Sequence, residues 1–226
     1  MWRFLAEAAA VAGKDLRAEL RTRVAVNSLL LFAVTTLAAV AYTIGPFRLE
    51  PADRPFLLST LLWIVVFFAA LAGLDRSFVK EEESHTAPLL RLAASAHVVW
   101  LGKLLYNLVL LTVLMAVLVP LYCVLMGLEI QLLGWFVLVL VLGGYALAVT
   151  TTIVAAIIAR AMTRGALFSV LSLPLLLPLL IFVIQGTTGA IQADLELVRS
   201  TVPAVLSYGG IMTVLSAWLF PVVWAE

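Results

Sequence analysis

Six long apolar runs constrain this chain more than any other feature of its sequence. Every Asp, Glu, Lys, Arg and His lies outside them. The runs are residues 24–44, 56–74, 104–126, 132–159, 165–184 and 202–224. A helix rising about 1.5 Å per residue needs about 20 residues to cross about 30 Å of hydrocarbon. The sequence therefore predicts an all-α polytopic membrane protein, with six transmembrane helices in a single transmembrane domain over residues 1–226.

Positive charge is divided unequally between the alternate connections. Of the 14 Lys and Arg residues, 11 lie in the N-terminal segment and in the connections 75–103 and 160–164. The other side has only Arg48, Arg54 and Arg199. Lys and Arg collect in the short cytoplasmic loops of membrane proteins. Both chain termini are therefore predicted to be cytoplasmic, and a net charge of +1 gives no sign of a nucleic-acid partner.

The N-terminal segment, residues 1–23, has the pattern of a helix that lies on the membrane surface. Its apolar side chains fall within one arc of about 80°, and its basic side chains cluster on the opposite side. Such a helix places its apolar stripe among the lipid headgroups. The alternative, which is compatible with the first, is a helix packed on a partner subunit. The residues assigned to the membrane interface are Trp2, Leu5, Leu16, Leu20, Arg17 and Arg21.

The connection 75–103 is far longer than the ~2–8 residues that usually join neighbouring helices. It contains an acidic run, then a helix-start signal in which Pro88 follows Thr86. Exposed leucines flanked by charges are typical of a docking element for a soluble partner, and the alternative is a solvated loop with an interfacial helix. The candidate docking residues are Arg76, Glu81, Glu82, Glu83, Leu89, Leu90, Arg91 and Leu92.

The predicted spans contain no ionisable acid or base, which disfavours a proton- or ion-coupled carrier. The polar residues Asn107, Thr150, Thr151 and Thr152 are expected to form hydrogen bonds between helices or with their own backbone. The alternative is that they line a transport pathway.

Two prolines interrupt the fifth span. Pro174 and Pro178 each remove a backbone donor, so a kink or partial break is expected, either as a packing bend or as a gating hinge. The external connection that follows, 185–201, is mildly amphipathic and is expected to form a short or partly re-entrant helix.

Enzyme signatures are absent from the sequence. It has no P-loop, no HExxH motif and no nucleophile elbow. His85 and His97 are expected to be surface residues, and the single cysteine, Cys123, a packing residue. We therefore predict neither a catalytic site nor a metal site.

Four stretches resemble the membrane subunits of ABC-2-type exporters, and more specifically the CcmB-type permeases (haem exporter protein B) of cytochrome c maturation. They are KDLRAELRTR (14–23), LLWIVVFFAALAGLDRSFVKEEE (61–83), GKLLYN (102–107) and SLPLLLPLLIFVIQG (172–186). Residues 85–88 and 93–95 depart from the usual ABC-2 pattern, which shifts the expected start of the coupling helix.

The resemblance implies an ABC-2-type permease fold in the bacterial inner membrane, with no enzyme activity of its own. A separate ABC ATPase subunit would bind ATP and receive the coupling helix within 75–94. The implied partners are a second copy of the chain, a haem-handling membrane subunit, a small single-span subunit and the periplasmic haem chaperone. Haem would be the cargo of the complex, or ATP would drive release of the loaded chaperone. Absence of an outward-facing His favours release.

Two alternatives stay open at the level of sequence. One is an ABC-2 permease for another cargo, such as a lipid-linked glycan or a drug. The other is a membrane scaffold that assembles partners through its cytoplasmic loop and transports nothing.

Overall fold

The protein was analysed as a computed structural model. Its described residues are 2–44, 53–74, 78, 81, 86–158 and 164–225, with the backbone alone at 87, 164–171 and 225. The helices, numbered in chain order, are α1 (Trp2–Thr22), α2 (Val24–Thr43), α3 (Arg54–Gly73), α4 (Ala87–Ala93), α5 (Ala96–Met126), α6 (Leu133–Ile158), α7 (Arg164–Gln192) and α8 (Leu195–Ala225). No strand occurs in these ranges.

Six of these helices, α2, α3 and α5–α8, are long and apolar enough to cross a membrane. The shortest, α2 and α3, have 20 residues each and extend about 30 Å. The longest, α5 and α8, have 31 residues and extend about 46 Å, so they tilt or project beyond the hydrocarbon. The predicted all-α architecture with six membrane-spanning helices is confirmed.

The long helices extend beyond the apolar runs that predicted them. α5 begins at Ala96 rather than at residue 104, and α7 and α8 occupy most of the expected connection 185–201. The prediction of a separate short or re-entrant helix there is wrong. Helical hydrogen bonding continues through polar residues whose side chains have partners, as when the Thr188 hydroxyl donates to the Ile184 carbonyl at 2.8 Å. The apolar-run criterion stops at such residues.

Ala193 and Asp194 alone join α7 to α8. The backbone of Ala193 has a φ of 63°, in the left-handed region that often ends a helix. The Asp194 carboxylate then accepts a hydrogen bond from the backbone N–H of Leu197 at 3.0 Å, as an N-cap residue does. So short a connection makes α7 and α8 an antiparallel helical hairpin.

The two prolines of the fifth span lie inside an unbroken helix. α7 runs through both Pro174 and Pro178, so the helix is not broken there, and the kink stays a prediction. Between the two prolines, the hydroxyl of Tyr208 on α8 donates to the carbonyl of Leu175 at 2.6 Å, which fixes this part of α7 to α8.

The core of the bundle lies around α6, which packs against α7, α8 and α5. Gly143 allows this close approach, because a Cβ there would lie 2.5 Å from the Trp63 ring and 2.7 Å from Val183. The Trp63 indole in turn donates to the hydroxyl of Thr187 at 2.8 Å. α3, α6 and α7 are thereby held together at the centre.

α1 turns sharply into α2 and packs along the first turns of α5. The turn is made by Arg23, whose φ of 55° and ψ of 21° are left-handed. The Glu19 carboxylate accepts a hydrogen bond from the Val26 N–H at 2.9 Å, across this turn. The start of α5, the end of α8 and α4 also lie at this end of the bundle, which we call the α1 end.

Candidate functional site

The short helix α4 presents two leucines to its surroundings. Leu89 is 66% exposed and Leu92 is 87% exposed. Leu90 points the other way and packs against a buried apolar cluster formed by Ala8, Val11 and Val98 of α1 and α5. α4 thus has an inner face that fixes it to the bundle and an outer face that is apolar and open.

Arg91 anchors α4 to the end of α8. Its guanidinium lies 5.2 Å from the centre of the Trp224 ring, within the range of a cation–π contact. Trp224 stacks on Phe220 with ring centres 5.6 Å apart, and Phe78 lies edge-on to Trp224 at 6.2 Å. These aromatic contacts bind α4, the segment before it and α8 into one unit.

An ionic cluster lies beside these rings. The ammonium group of Lys103 on α5 is 2.8 Å from Asp15 and 2.9 Å from Glu81. The ammonium group of Lys14 is 2.5 Å from the same Glu81 carboxylate, and the Thr86 hydroxyl donates to it at 2.6 Å. The cluster therefore joins three parts of the chain: α1, α5 and the segment that leads into α4.

Both carboxylates of this cluster are largely buried, with exposed side-chain fractions of 12% or less. Burial alone would raise the pKa of Glu81, but the charge of Lys103 and the hydrogen bonds from Lys14 and Thr86 lower that pKa to about 2. Burial alone would lower the pKa of Lys14, but the Glu81 hydrogen bond and the Asp15 charge raise it above its ordinary value. Glu81 and Lys14 are therefore charged at neutral pH.

The structure changes the interpretation of the predicted docking residues. Leu89 and Leu92 lie on an open surface, whereas Glu81 points into the protein and is unavailable for direct contact with a partner. Arg76, Glu82 and Glu83 lie outside the described residues.

α1 has three distinct faces. Trp2, Leu5 and Leu20 are exposed, Leu16 is half-buried, and the basic residues Arg17 and Arg21 are exposed. The third face packs on α5.

This packed face lies unusually close to its neighbour. A Cβ on Gly102 of α5 would lie 2.7 Å from Val11 and 2.9 Å from the carbonyl oxygen of Ala8. One face of α1 is therefore packed on this chain itself and not on a partner subunit. The assignment of its exposed residues to the membrane interface stays a prediction.

The predicted intramembrane polar residues are buried in the bundle. Asn107 donates from its side-chain amide to the Thr152 hydroxyl at 2.9 Å, which links α5 to α6. Thr151 and Thr152 also donate to carbonyls of their own helix, and so does Thr150. The side-chain carbonyl of Asn107 is buried without a hydrogen-bond partner.

The structure connects Thr150 with the proline segment through Tyr208. The Tyr208 hydroxyl lies 3.4 Å from the Thr150 hydroxyl and donates to the carbonyl of Leu175, between the two prolines. Pro174 and Pro178 are themselves exposed on the outer side of α7. Tyr208 was not identified from the sequence, in which it is one aromatic residue within an apolar run.

An apolar groove of about 550 Å³ lies between α5 and α6. Of its lining residues, only Thr112 and Tyr145 carry side-chain oxygens, and none is charged. The lining residues are Leu108, Leu111, Thr112, Met115, Ala116, Val119, Pro120, Val137, Leu140, Val141, Gly144 and Tyr145. Within the described part of the chain, no group of three or more His, Cys, Asp or Glu side chains is placed to hold a metal ion.

The ionic cluster is the main feature that sequence reasoning missed. In the sequence, Lys103 is one of several charges of the connection 75–103, and Lys14 and Asp15 are two charges of the N-terminal segment. A signal was available, because Lys103 directly precedes an apolar run and follows Gly102, the residue that allows α1 to approach. A lysine at the point where a helix enters lipid, with another helix packed against it, has little access to water and needs an acidic partner.

These features define a polytopic α-helical membrane protein whose α1 end carries a short helix, α4, with an exposed apolar face. The chain belongs to the CcmB family: the family model described as "CcmB protein" matches residues 6–224. The heme exporter protein B of Bradyrhizobium diazoefficiens is 28% identical over 197 residues, which cover 81% of this chain and 82% of that protein. The heme exporter protein B of Rhodobacter capsulatus is 29% identical over 204 residues, which cover 88% of this chain and 92% of that protein.

Proposed function

We propose that this chain is the membrane subunit of an ATP-driven complex that serves haem delivery in cytochrome c maturation. Family membership and two relatives named heme exporter protein B support the haem pathway. The observation that carries the ATP-driven part is the geometry of α4. It is anchored through Leu90 and Arg91 and presents Leu89 and Leu92 outward, as a helix that enters a groove on a soluble ATPase must do.

In this proposal the α1 end faces the cytoplasm of a bacterial cell, across the inner membrane. The charge division between alternate connections supports that orientation. The exposed Trp2, Leu5 and Leu20 then lie among the lipid headgroups, with Arg17 and Arg21 available to anionic lipid phosphates. A second copy, a haem-handling membrane subunit and a small single-span subunit complete the complex.

We further propose that ATP hydrolysis serves release of the haem-loaded periplasmic chaperone. The six apolar runs of the sequence contain no Asp, Glu, Lys, Arg or His that could couple transport to an ion or proton gradient. The groove between α5 and α6 offers no charged side chain to the carboxylates of haem. In this proposal, ATP hydrolysis in the ATPase displaces α4, and the movement is transmitted through the bundle to a partner at its opposite end.

Co-purification tests the docking role of α4. The double variant Leu89→Ala/Leu92→Ala is purified in mild detergent from cells that make the complete complex. We expect the ATPase to be lost, because the two exposed apolar side chains that would enter its groove are removed. The matched control is Leu133→Ala, which changes a leucine with 62% exposure at the other end of the bundle and should retain the ATPase. Retention of the ATPase by the double variant would refute the docking role.

A cellular test addresses the pathway separately. Cells that lack this gene should fail to assemble c-type cytochromes, and the wild-type gene should restore them. Normal c-type cytochromes in such cells would exclude the haem pathway and favour a permease for another cargo. The two tests are independent, because a permease for another cargo would still need the ATPase.

A further inference from the structure

Lys103 is the least exposed charged side chain among the described residues, with 1% of its surface accessible. It contacts Asp15 on α1 at 2.8 Å and Glu81, in the segment before α4, at 2.9 Å. The Phe78 ring, from the same segment as Glu81, lies 5.6 Å from the Lys103 ammonium group. One side chain at the start of α5 thus contacts both α1 and the segment that leads into the docking helix.

Stability does not by itself account for such a cluster. Removing charges from water costs about as much free energy as their attraction returns, and well-packed apolar residues of similar volume are often equally stable. The role best attested for buried polar and ionic groups is to fix the relative position of two elements. In this protein the elements so fixed are α1, α5 and the segment that contains Glu81.

The opposite flank of α4 has a different kind of contact. Arg91 lies over Trp224 near the end of α8. Leu90 gives α4 an apolar contact with α1 and α5, through the cluster of Ala8, Val11 and Val98. Glu81 and Lys103 add an ionic connection from the segment before α4 to the same two helices.

We propose that Lys103 is a positioning residue: it makes α1 and α5 move together with the segment before α4 when the ATPase displaces α4. The inference rests on the proposed docking role of α4. Because α5 is one continuous 31-residue helix from Ala96 to Met126, a shift at Lys103 is carried towards the opposite end of the bundle. α1 follows, since Asp15 holds it to the same ammonium group.

A charge-balanced variant separates this role from folding. Lys103→Met together with Glu81→Gln removes one positive and one negative charge of similar size. It leaves Lys14 beside Asp15, 3.4 Å apart, so no net charge is left in the cluster. The matched control is Arg54→Gln, which removes a partly buried cation at the other end of the bundle, where it donates to the carbonyl of Gly127 at 2.9 Å.

Hydrogen exchange of the intact complex, with and without ATP, tests the proposal. In wild type and in Arg54→Gln, ATP should change exchange in α4, in α1 and in the first turns of α5. In the double variant the change in α4 should persist, whereas the change in α1 and in the first turns of α5 should be clearly smaller than in wild type. The ATPase should stay bound and active, and the yield of c-type cytochrome should fall at least tenfold. A merely structural role would not change where the response to ATP appears.

Three results would overturn the proposal. The first is a double variant whose α1 and α5 still respond to ATP as in wild type, or whose cytochrome yield is normal. The second is loss of the ATPase from the double variant, because Lys103 would then serve docking instead of positioning. The third is the same loss of response in Arg54→Gln, which would make the effect non-specific. Failure of the docking role itself is detected elsewhere, by retention of the ATPase in Leu89→Ala/Leu92→Ala.

Discussion

The contact between α1 and α5 depends on the absence of a single methyl group. A Cβ at position 102 would lie 2.7 Å from the Cβ and Cγ1 atoms of Val11 and 2.9 Å from the Ala8 carbonyl oxygen. Carbon atoms in good contact are about 3.5–4.0 Å apart. Neither the Val11 Cβ nor a backbone oxygen can rotate away, so in Gly102→Ala the whole of α1 must move outward by close to an ångström.

Two opposing terms set the size of this effect. Replacing glycine by alanine in a helix interior favours the helix by about 0.8–1.0 kcal/mol. Overpacking at a tight contact costs about 1–3 kcal/mol. The cost of overpacking is the larger of the two, so we expect Gly102→Ala to lower the free energy of unfolding by up to about 2 kcal/mol. The outward shift of α1 should also lengthen the neighbouring contact of Lys103 with Asp15, now 2.8 Å.

Gly210→Ala is the matched control. Gly210 lies within α8, and an added Cβ there meets no atom within 4 Å. Only the higher helix propensity of alanine then acts, so this variant should be stabilised by about 0.5–1 kcal/mol. Both variants can be unfolded in mixed detergent micelles under the same conditions. We expect shifts of opposite sign.

A partial rescue sharpens the test. Val11→Ala removes the Cγ1 atom of the clash but keeps the Cβ, so it should recover part of the loss in Gly102→Ala. The double-mutant cycle should then show a favourable coupling of about 1 kcal/mol. A Gly102→Ala protein as stable as Gly210→Ala, or an additive cycle, would show that α1 is not seated on α5 as described.

Three further outcomes are expected in the same unfolding assay. Ala193→Gly should stabilise the protein by about 1 kcal/mol, because the left-handed φ of 63° is costly for any residue with a Cβ; a loss of stability would contradict that backbone conformation. Glu81→Gln should be less stable than wild type by a constant amount above about pH 5. Because the Glu81 pKa is lowered from 4.5 to about 2, this difference should shrink as the pH falls from 4.5 towards 2, and a difference independent of pH would contradict the ion pairs. Asn107→Leu should be neutral or stabilising, because it loses one interhelical hydrogen bond worth about 0.6 kcal/mol but also removes a buried carbonyl without a partner; a loss above about 2 kcal/mol would indicate an unrecognised partner.

The number and type of membrane-spanning elements were predictable because the cost of burying a charge in lipid is large and local. Each apolar run identified its helix without reference to any other part of the chain. Helix ends were not predictable in this way. Ala193 ends α7 and Asp194 begins α8 through backbone conformation and capping, and neither property is visible in hydropathy.

The candidate site shows the same division. The exposed leucines of α4 were predictable, since a short helix-start signal and an apolar patch lie next to each other in the sequence. The position of Glu81 was not predictable, because its burial depends on Lys14, 67 residues earlier, and on Lys103, 22 residues later. An acidic run gives no indication of which carboxylate turns inward. That choice is made by packing between distant segments.

The turn at Arg23 and the cluster at Lys103 also have a consequence for biogenesis. α1 is synthesised first, yet Lys103, the buried cation that pairs with its Asp15 at 2.8 Å, belongs to the third spanning helix. Until that helix has entered the membrane, α1 has no surface to pack against, and Asp15 and Glu19 must stay in water. Its exposed apolar side chains can meanwhile hold it at the lipid surface near the insertion site. The ionic cluster can therefore form only after the first three spans are in place. Its formation depends on correct assembly of these spans, in addition to holding α1 and α5 together.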